Sequence, residues 1–289
     1  QRLCEVSGYA RRVLEALAEE GVTVEQFHPE YAPGQFELSV APEDPIAAAD
    51  TSVLVRETIR GVGQEFGLRT SFSPKVDLSG VGNGGHVHFS LLSGDANLMS
   101  GGDGAAGMTP PGESFAAGVH RHLPALMAIG APSLASYLRL VPSHWAGIYR
   151  CWGVENREAA VRVVTGSAGS EGWAANVEVK CFDLLANPYL VLAGIVAAGL
   201  DGLAGEDRLP APVDIDPAAM TDEVRAERGI DQLPRSLAYS VAEFENDDAI
   251  AAAFGPGLHG SILAVRRMEM DTYADATDEE IAAAVRWRH

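Results

Sequence analysis

The sequence predicts an α+β domain, in which helices pack against a small number of strands. Three observations favour this class. Apolar residues recur at helical spacing between residues 5 and 20. Two strand-like segments, 22–28 and 35–40, flank the turn sequence Ala32-Pro33-Gly34. A further strand-like segment, His86-Val87-His88-Phe89, follows a glycine-rich run.

The first helix is expected to end at Gly21 and to be followed by a β-hairpin. If Pro33 and Gly34 are the two central residues of its turn, Glu30 lies directly opposite Glu37. Two carboxylates in such positions are about 5 Å apart and repel each other unless a cation lies between them. The hairpin therefore predicts a metal site. The alternative is that both side chains turn into solvent.

The strand that begins at His86 predicts a binding face. Side chains alternate along a strand, so His86 and His88 share one face, while Val87 and Phe89 share the other. The glycines of segment 80–85 leave the backbone bare at the start of this strand, which suits a bulky ligand packed against it. The alternative is a polar sheet surface without a function.

The remaining elements follow from the same kinds of signal. Helices are expected at 46–66, 115–129 and 132–139, from Asn187 through Leu200, and after a capping box of Thr277 and Glu280. Strands are expected at 68–76, 86–92 and 176–181, with Glu178 and Lys180 on one face of the last. Residues 93–112, rich in Gly, Ser, Asp and Pro, predict a mobile surface loop.

Arginines are concentrated between residues 139 and 162. They are Arg139, Arg150, Arg157 and Arg162. In a chain with only 21 lysines and arginines, this concentration predicts a receptor for phosphate or carboxylate groups. The alternative is that these arginines pair with acidic groups on the surface.

Composition limits the class of partner. A net charge of −19 argues against nucleic acid and against an anionic membrane, because both would repel the chain. The 289 residues fit one large domain. The three cysteines, Cys4, Cys151 and Cys181, lack the spacing of a zinc site or a disulfide framework, so they are expected to be reduced thiols of a cytoplasmic protein.

Five motifs, in order along the chain, resemble the catalytic domain of the glutamine synthetase family. They are EYAPGQFE (30–37), GNGGHVH (82–88), RLVP (139–142), NREAAVR (156–162) and ANPYL (186–190). Any one of them is weak, whereas five in family order over nearly the whole chain form a specific signal. The resemblance implies an antiparallel sheet curved into part of a barrel and backed by helices.

The resemblance also implies ATP-dependent joining of an amine to glutamate through a γ-glutamyl phosphate, with Mg²⁺ or Mn²⁺ as the metal. The implied metal ligands are Glu30, Glu37, His86 and Glu178. The implied nucleotide and phosphate contacts are His88, Ser90, Arg157 and Arg162, with Arg157 as the catalytic candidate, and the implied glutamate contacts are Gly82, Arg139 and Lys180. Phosphoryl transfer between anions needs such cations and basic side chains.

The chain departs from the family's pattern in three ways. Neither the family's N-terminal β-grasp domain nor its first metal-binding strand is in this sequence, which starts at Gln1. We therefore expect an isolated catalytic domain with little activity of its own, from a homo-oligomeric parent. Lys180 stands where arginine is typical, which loses a two-pronged grip on carboxylates. Trp145 takes the place of the loop glutamate that helps to deprotonate ammonium.

These features predict a glutamine synthetase-like ligase that prefers an organic amine to ammonia, with Trp145 in the acceptor site. A different interpretation is that Trp145 packs against Tyr149 and Trp152 while another acid takes the proton. For the whole chain, the alternative is a catalytically silent relative with a structural or regulatory role. The missing upstream glutamates favour that alternative, whereas the retained site residues favour an enzyme.

Overall fold

The computed structural model describes residues 2–288. Its α-helices are α1 (Arg2–Glu5), α2 (Ser7–Glu19), α3 (Pro45–Glu65), α4 (Pro110–Gly130), α5 (Leu134–Arg139), α6 (Glu171–Ala174), α7 (Pro188–Ala204), α8 (Asp222–Glu227), α9 (Leu237–Asn246), α10 (Asp248–Thr272) and α11 (Asp278–Val285). Its strands are β1 (Val24–Pro29), β2 (Phe36–Val40), β3 (Val87–Phe89), β4 (Leu92–Ser93), β5 (Ala96–Asn97), β6 (Tyr149–Val154), β7 (Ala159–Val164), β8 (Asn176–Val179) and β9 (Asp231–Gln232).

Five strands form the central sheet, in the order β3-β8-β7-β6-β9. Neighbouring strands are antiparallel except β6 and β7, which run parallel. Because Ala159 pairs with Tyr149, residues 155–158 carry the chain back along β6 before β7 begins. The predicted α+β class with a sheet backed by helices is confirmed, and the sheet is mixed rather than wholly antiparallel.

The main core lies between this sheet and helix α4. Val161 of β7 and Val177 of β8 are fully buried and belong to the same cluster as Leu123 and Leu126 of α4. Full burial of one such side chain contributes about 1.5–3 kcal/mol. A second layer, formed by α2 and α3 against the β1–β2 hairpin, buries its own cluster that includes Leu17.

Local capping signals place the helices. Asp44 caps α3, Asn187 caps α7, and the Thr277–Glu280 capping box opens α11. Gly67 follows α3 with a φ of 65°, in the left-handed region that favours glycine. The predicted helices are confirmed, although α4 begins at Pro110, five residues before its expected start.

Two predictions about loops and strands are wrong. Segment 68–76 forms no strand; its carbonyls at Ser73 and Pro74 instead accept hydrogen bonds from the side chain and backbone of Asn83, at 2.7 and 2.9 Å. Segment 93–112 is only in part a surface loop: residues 101–103 are exposed, but Met99 and Met108 are buried in the main core. The polar composition of this segment did not indicate that Met99 and Met108 would be buried.

Among the described helices, α10 is long and apolar enough to cross a membrane by those two criteria alone. It breaks at Gly255, where φ is 68°, just before Pro256. Its Ile250, Ile262 and Leu263 join the main core of the domain. A single helix that meets these two criteria, length and apolar composition, is weak evidence for a membrane span.

Candidate active site

A row of polar side chains crosses the central sheet on the face opposite α4. His88 of β3 is the register partner of Glu178 in β8, and Glu178 is the register partner of Arg162 in β7. The neighbours of Glu178 in β8, Val177 and Val179, are fully buried. Since side chains alternate along a strand, Glu178 points away from the core.

Glu178 is the centre of a charge network on this face, with its side chain 3% exposed. Its Oε1 lies 2.9 Å from Nδ1 of His86 and 3.7 Å from Nε2 of His88. The same oxygen lies 3.3 Å from Nζ of Lys180, and Oε2 accepts a hydrogen bond from Arg162 at 3.2 Å. The prediction that His86 shares a face with His88, and Glu178 with Lys180, is therefore confirmed.

The network keeps Glu178 ionised. Burial would raise the pKa of Glu178, but the hydrogen bond and charge of His86, with the charge of Lys180, outweigh burial and hold that pKa well below its usual range. Burial lowers the pKa of Lys180 against the attraction of Glu178. Burial also lowers the pKa of His86, against its hydrogen bond to Glu178. The face thus carries one buried carboxylate and a surplus of basic groups.

The β1–β2 hairpin has a different register from the predicted one. Glu37 pairs with His28 instead of Glu30. The turn lies at Pro33-Gly34, as expected, and Gly34 has a φ of 77°, but the N–H of Glu30 already bonds the carbonyl of Gln35 at 2.9 Å. A Pro-Gly turn of this kind twists against its flanking strands, so the hairpin closes with a longer loop.

The two glutamates converge in spite of the changed register. Ligand atoms of His28, Glu30 and Glu37 all lie within 4.8 Å of one another. Burial raises the pKa of Glu37, and the hydrogen bond and charge of Glu30 raise that pKa further. A divalent cation would relieve this repulsion, and two carboxylates with one imidazole are suitable ligands for Mg²⁺ or Mn²⁺. The three residues therefore fit the metal that the family implies.

His28 was missed by the sequence prediction, although a signal existed, because residues 28 and 30 share a face in a strand. The expected ligands fall into two groups: Glu30 and Glu37 join His28 at the hairpin, while His86 joins Glu178 on the sheet. The charge of Glu178 also raises the pKa of Glu37, so the two groups interact.

Gln35 holds the hairpin loop against the glycine-rich segment. Its Nε2 donates to the carbonyl of Gly82 at 3.0 Å and to Oδ1 of Asn83 at 2.6 Å. A Cβ atom at Gly82 would lie 2.2 Å from Cγ of Arg139 and 2.6 Å from the carbonyl oxygen of Pro74. This glycine therefore makes room for the protein's own atoms rather than for a bulky ligand.

Arg139 lies beneath this segment and is 5% exposed. Its Nη2 donates to the carbonyls of Cys181 at 2.8 Å and Phe182 at 2.9 Å. Burial lowers the pKa of Arg139, and the charge of Asp183 opposes that shift. Arg139 thus fixes the chain that leaves β8. The glutamate contacts expected of Arg139 and Gly82 stay predictions.

Trp145 forms an exposed aromatic surface near the hairpin. It has a φ of 54°, and its ring centroid lies 5.0 Å from that of Tyr31 in the hairpin loop. Trp152, in contrast, is buried, and its indole N–H donates to the carbonyl of Pro210 at 2.7 Å. The aromatic partner of Trp145 among the described residues is therefore Tyr31, rather than Tyr149 and Trp152, the partners in the alternative interpretation.

A carboxylate to which the sequence prediction gave no role lies beside Trp145. The backbone N–H of Trp145 donates to Oε1 of Glu158 at 3.1 Å. Burial raises the pKa of Glu158 against that hydrogen bond, and the charge of Asp216 raises it as well. A Cβ atom at Gly147 would lie 3.1 Å from Cβ of Lys180, so this segment reaches the charge network on the sheet.

The expected nucleotide contacts lie on or beside the central sheet. His88 and Ser90 lie in and just after the edge strand β3, and both are exposed. Arg157 is exposed in the connection between β6 and β7, whereas Arg162 belongs to the network around Glu178. The roles of these four side chains stay predictions.

Comparisons with known proteins agree with this geometry. The family model for the glutamine synthetase catalytic domain matches residues 2–283. A γ-glutamylpolyamine synthetase of Streptomyces coelicolor is 53% identical over 288 residues, covering 100% of this chain and 62% of the relative. A glutamine synthetase of Thermotoga maritima is 36% identical, covering 88% of this chain and 57% of the relative.

Solved structures give the same result. A crystal structure of a glutamine synthase homologue superimposes with a TM-score of 0.84 at 35% identity, covering 96% of this chain and 62% of that one. A GmaS/ADP complex superimposes with a TM-score of 0.84 at 28% identity, covering 95% and 62%. The chain therefore spans about three fifths of the length of these proteins.

Proposed function

Because the chain belongs to the glutamine synthetase catalytic-domain family, we propose that the protein is an ATP-dependent ligase that joins an organic amine to the γ-carboxylate of glutamate. Enzymes of this family use ATP and divalent metal ions in general. One observation carries the proposal: basic side chains surround Glu178 on one sheet face, next to the paired carboxylates of Glu30 and Glu37. Such a face suits a reaction between two anions.

His28, Glu30 and Glu37 would hold Mg²⁺ or Mn²⁺. When bound, the metal ion would neutralise the negative charge of the phosphate oxygens. The chain's own contribution is to bring these side chains together. The hydrogen bonds of Gln35 to Gly82 and Asn83 fix the hairpin loop relative to the sheet. The carboxylates therefore keep their position although both are partly solvent-exposed.

Arg157 and Arg162 would bind phosphate oxygens while the γ-phosphoryl group of ATP passes in line to an oxygen of the glutamate side chain. Arg162 donates from Nη1 to Glu178 and from Nη2 to Glu155, so two carboxylates orient its guanidinium group. Lys180 would attract a substrate carboxylate. As a single ammonium group, Lys180 provides charge without the bidentate geometry of an arginine.

Trp145 and Tyr31 would form one wall of the acceptor site. The amine nitrogen attacks the carbonyl carbon of γ-glutamyl phosphate, the C–N bond forms, phosphate leaves, and the nitrogen loses a proton. An aromatic wall binds methylene groups, at about 0.8 kcal/mol for each one buried, whereas ammonia has none. The name of the Streptomyces coelicolor relative, a γ-glutamylpolyamine synthetase, supports an organic acceptor.

A catalytically silent role is not favoured. The chain is 53% identical to a γ-glutamylpolyamine synthetase over its whole length. It also contains the carboxylates, histidines and arginines of the five family motifs. His28, Glu30 and Glu37 form one group, His86 and Arg162 join Glu178 in a second, and the charge of Glu178 acts on Glu37.

Phosphate release by the full-length protein tests the proposal. We expect release that depends jointly on ATP, glutamate and an amine. Arg157→Ala should lower kcat by about 100-fold, because it removes a charge that stabilises the transferred phosphoryl group. Arg11→Ala, an exposed arginine of α2, is the matched control and should retain full activity. Release that ignores glutamate, or that Arg157→Ala leaves unchanged, would contradict the proposal.

A further inference from the structure

The connection between β6 and β7 holds Glu158 in a fixed position. The side-chain Nδ2 of Asn156 donates to the carbonyl of Val213 at 2.6 Å, and its Oδ1 accepts the backbone N–H of Glu158 at 3.0 Å. Oε1 of Glu158 accepts the N–H of Trp145. Both the backbone and one carboxylate oxygen are therefore fixed before any ligand binds, as specific recognition requires.

The second oxygen of Glu158 is available to a ligand. Among residues 2–288, no hydrogen-bond donor or basic side chain is paired with Oε2 of Glu158. The residue is only partly exposed, and partly desolvated carboxylates bind cations more strongly than fully hydrated ones. An ammonium group would complete its pairing.

A series of contacts links the carboxylate cluster to Glu158. Glu30 accepts the backbone N–H of Tyr31 at 3.0 Å, Tyr31 packs against Trp145, and Trp145 donates to Glu158. The two outer contacts are made by backbone N–H groups and the middle contact joins the two rings, so the rings lie between Glu30 and Glu158 in this series. An acceptor whose reacting nitrogen lies near the cluster would run along these rings and place its far end at Glu158.

We infer that Glu158 is a specificity-determining residue that binds a second, non-reacting ammonium group of the acceptor, so that the preferred acceptor is a diamine or a longer polyamine. This inference rests on the proposed function. The aromatic rings supply apolar contact for the methylene chain and a cation–π surface. The charge of Asp216 makes the potential around Glu158 more negative, and the charges of Lys180 and His144 oppose it. The net charge of −19 favours the approach of a polycation.

Two amines of equal chain length test the inference. In 1-aminopentane a methyl group replaces the second ammonium group of 1,4-diaminobutane. Glu158→Gln keeps an oxygen for the N–H of Trp145 but removes the charge. In the full-length protein it should raise KM for the diamine about tenfold, change KM for 1-aminopentane by less than about twofold, and leave kcat unchanged for both amines.

Glu280→Gln is the matched control, because Glu280 also accepts a backbone N–H, from Thr277, and glutamine preserves that bond. It should change no kinetic constant. An equal fall in kcat for both amines in Glu158→Gln would overturn the inference, since Glu158 would then act on the reacting nitrogen. Unchanged KM values for both amines would also overturn it.

Binding of 1,4-diaminobutane, measured by calorimetry without turnover, separates the inference from the proposed function. Weaker binding to Glu158→Gln than to Glu280→Gln would support the assignment of Glu158. Equal binding by the two variants would contradict it. If no γ-glutamyl product forms with any amine, the proposed function fails, whatever the calorimetric result.

Discussion

The imidazole of His86 lies 2.9 Å from the carboxylate of Glu178, and this contact joins the start of β3 to β8. Glu178 also pairs with Arg162 and Lys180, so one buried carboxylate holds three basic side chains on the same sheet face. Removing one member of such a network leaves buried charges without partners, which costs more than an exposed ion pair contributes. The site and the stability of the sheet therefore depend on the same residue.

Glu178→Gln should destabilise the fold by about 3–5 kcal/mol, because Lys180 loses its buried counter-charge and Arg162 keeps only the exposed Glu155 as a partner. Urea denaturation measures the difference. Glu171→Gln, at an exposed glutamate of α6, should change the free energy of unfolding by less than about 0.5 kcal/mol. Equal stability of the two variants would show that the network contributes no net stability.

Metal binding is expected at the hairpin. Mn²⁺ titration should show that Glu37→Gln and His28→Gln each weaken affinity about tenfold or more, because each removes a ligand. Since the pKa of Glu37 is raised, protons compete with the metal above the usual carboxylate range, and affinity should fall as the pH drops toward that range. Glu25→Gln, an exposed position of the same strand, is the control. Identical isotherms for all variants would refute the assignment.

His122 of α4 should make stability depend on pH. Its Nε2 lies 3.0 Å from Asp201, and its hydrogen bond to Asp247 raises the pKa of the imidazole. The resulting stabilisation is complete below the unfolded pKa of about 6.5 and is lost as the pH rises through the higher folded value. His122→Asn should therefore lower Tm more at pH 6 than at pH 9. His259→Asn is the control, and equal losses at both pH values for His122→Asn would contradict the prediction.

Gly82→Ala should destabilise the protein by about 1–3 kcal/mol, because the new Cβ atom would overlap Arg139 and the carbonyl of Pro74. Gly61→Ala is the matched control in α3, where an added Cβ meets nothing within 4 Å. It should stabilise the protein by about 0.5–1 kcal/mol through helix propensity. Thermal unfolding compares the two, and a neutral Gly82→Ala would show that the packing around Arg139 adjusts.

Sequence reasoning succeeded where the determining interactions are local. Asp44 and Asn187 cap helices through their own backbone neighbours, so their identity alone predicts α3 and α7. The alternation of His86 and His88 is also local. It predicted the shared face correctly.

The sequence predictions were wrong or missing where contacts between residues far apart in the chain determine the structure. The hairpin register depends on the bond between Glu30 and Gln35, which turn composition does not specify. Strands β6 and β7 gave no clear alternation, because both are largely buried and their side chains meet core on more than one side. Glu158 is recognisable only when Trp145 is seen beside it.

Acceptor competition tests the central claim most directly. The full-length protein, given ATP, glutamate and equal concentrations of ammonia and ethanolamine, should form mainly the γ-glutamyl amide of ethanolamine, by about tenfold, as mass spectrometry would show. Trp145→Glu should shift the products toward glutamine, because it replaces an apolar wall with a carboxylate that attracts ammonium, while Trp173→Glu, at an exposed position, should not. Glutamine as the main product of the unmodified protein, with a ranking that Trp145→Glu leaves unchanged, would contradict the account.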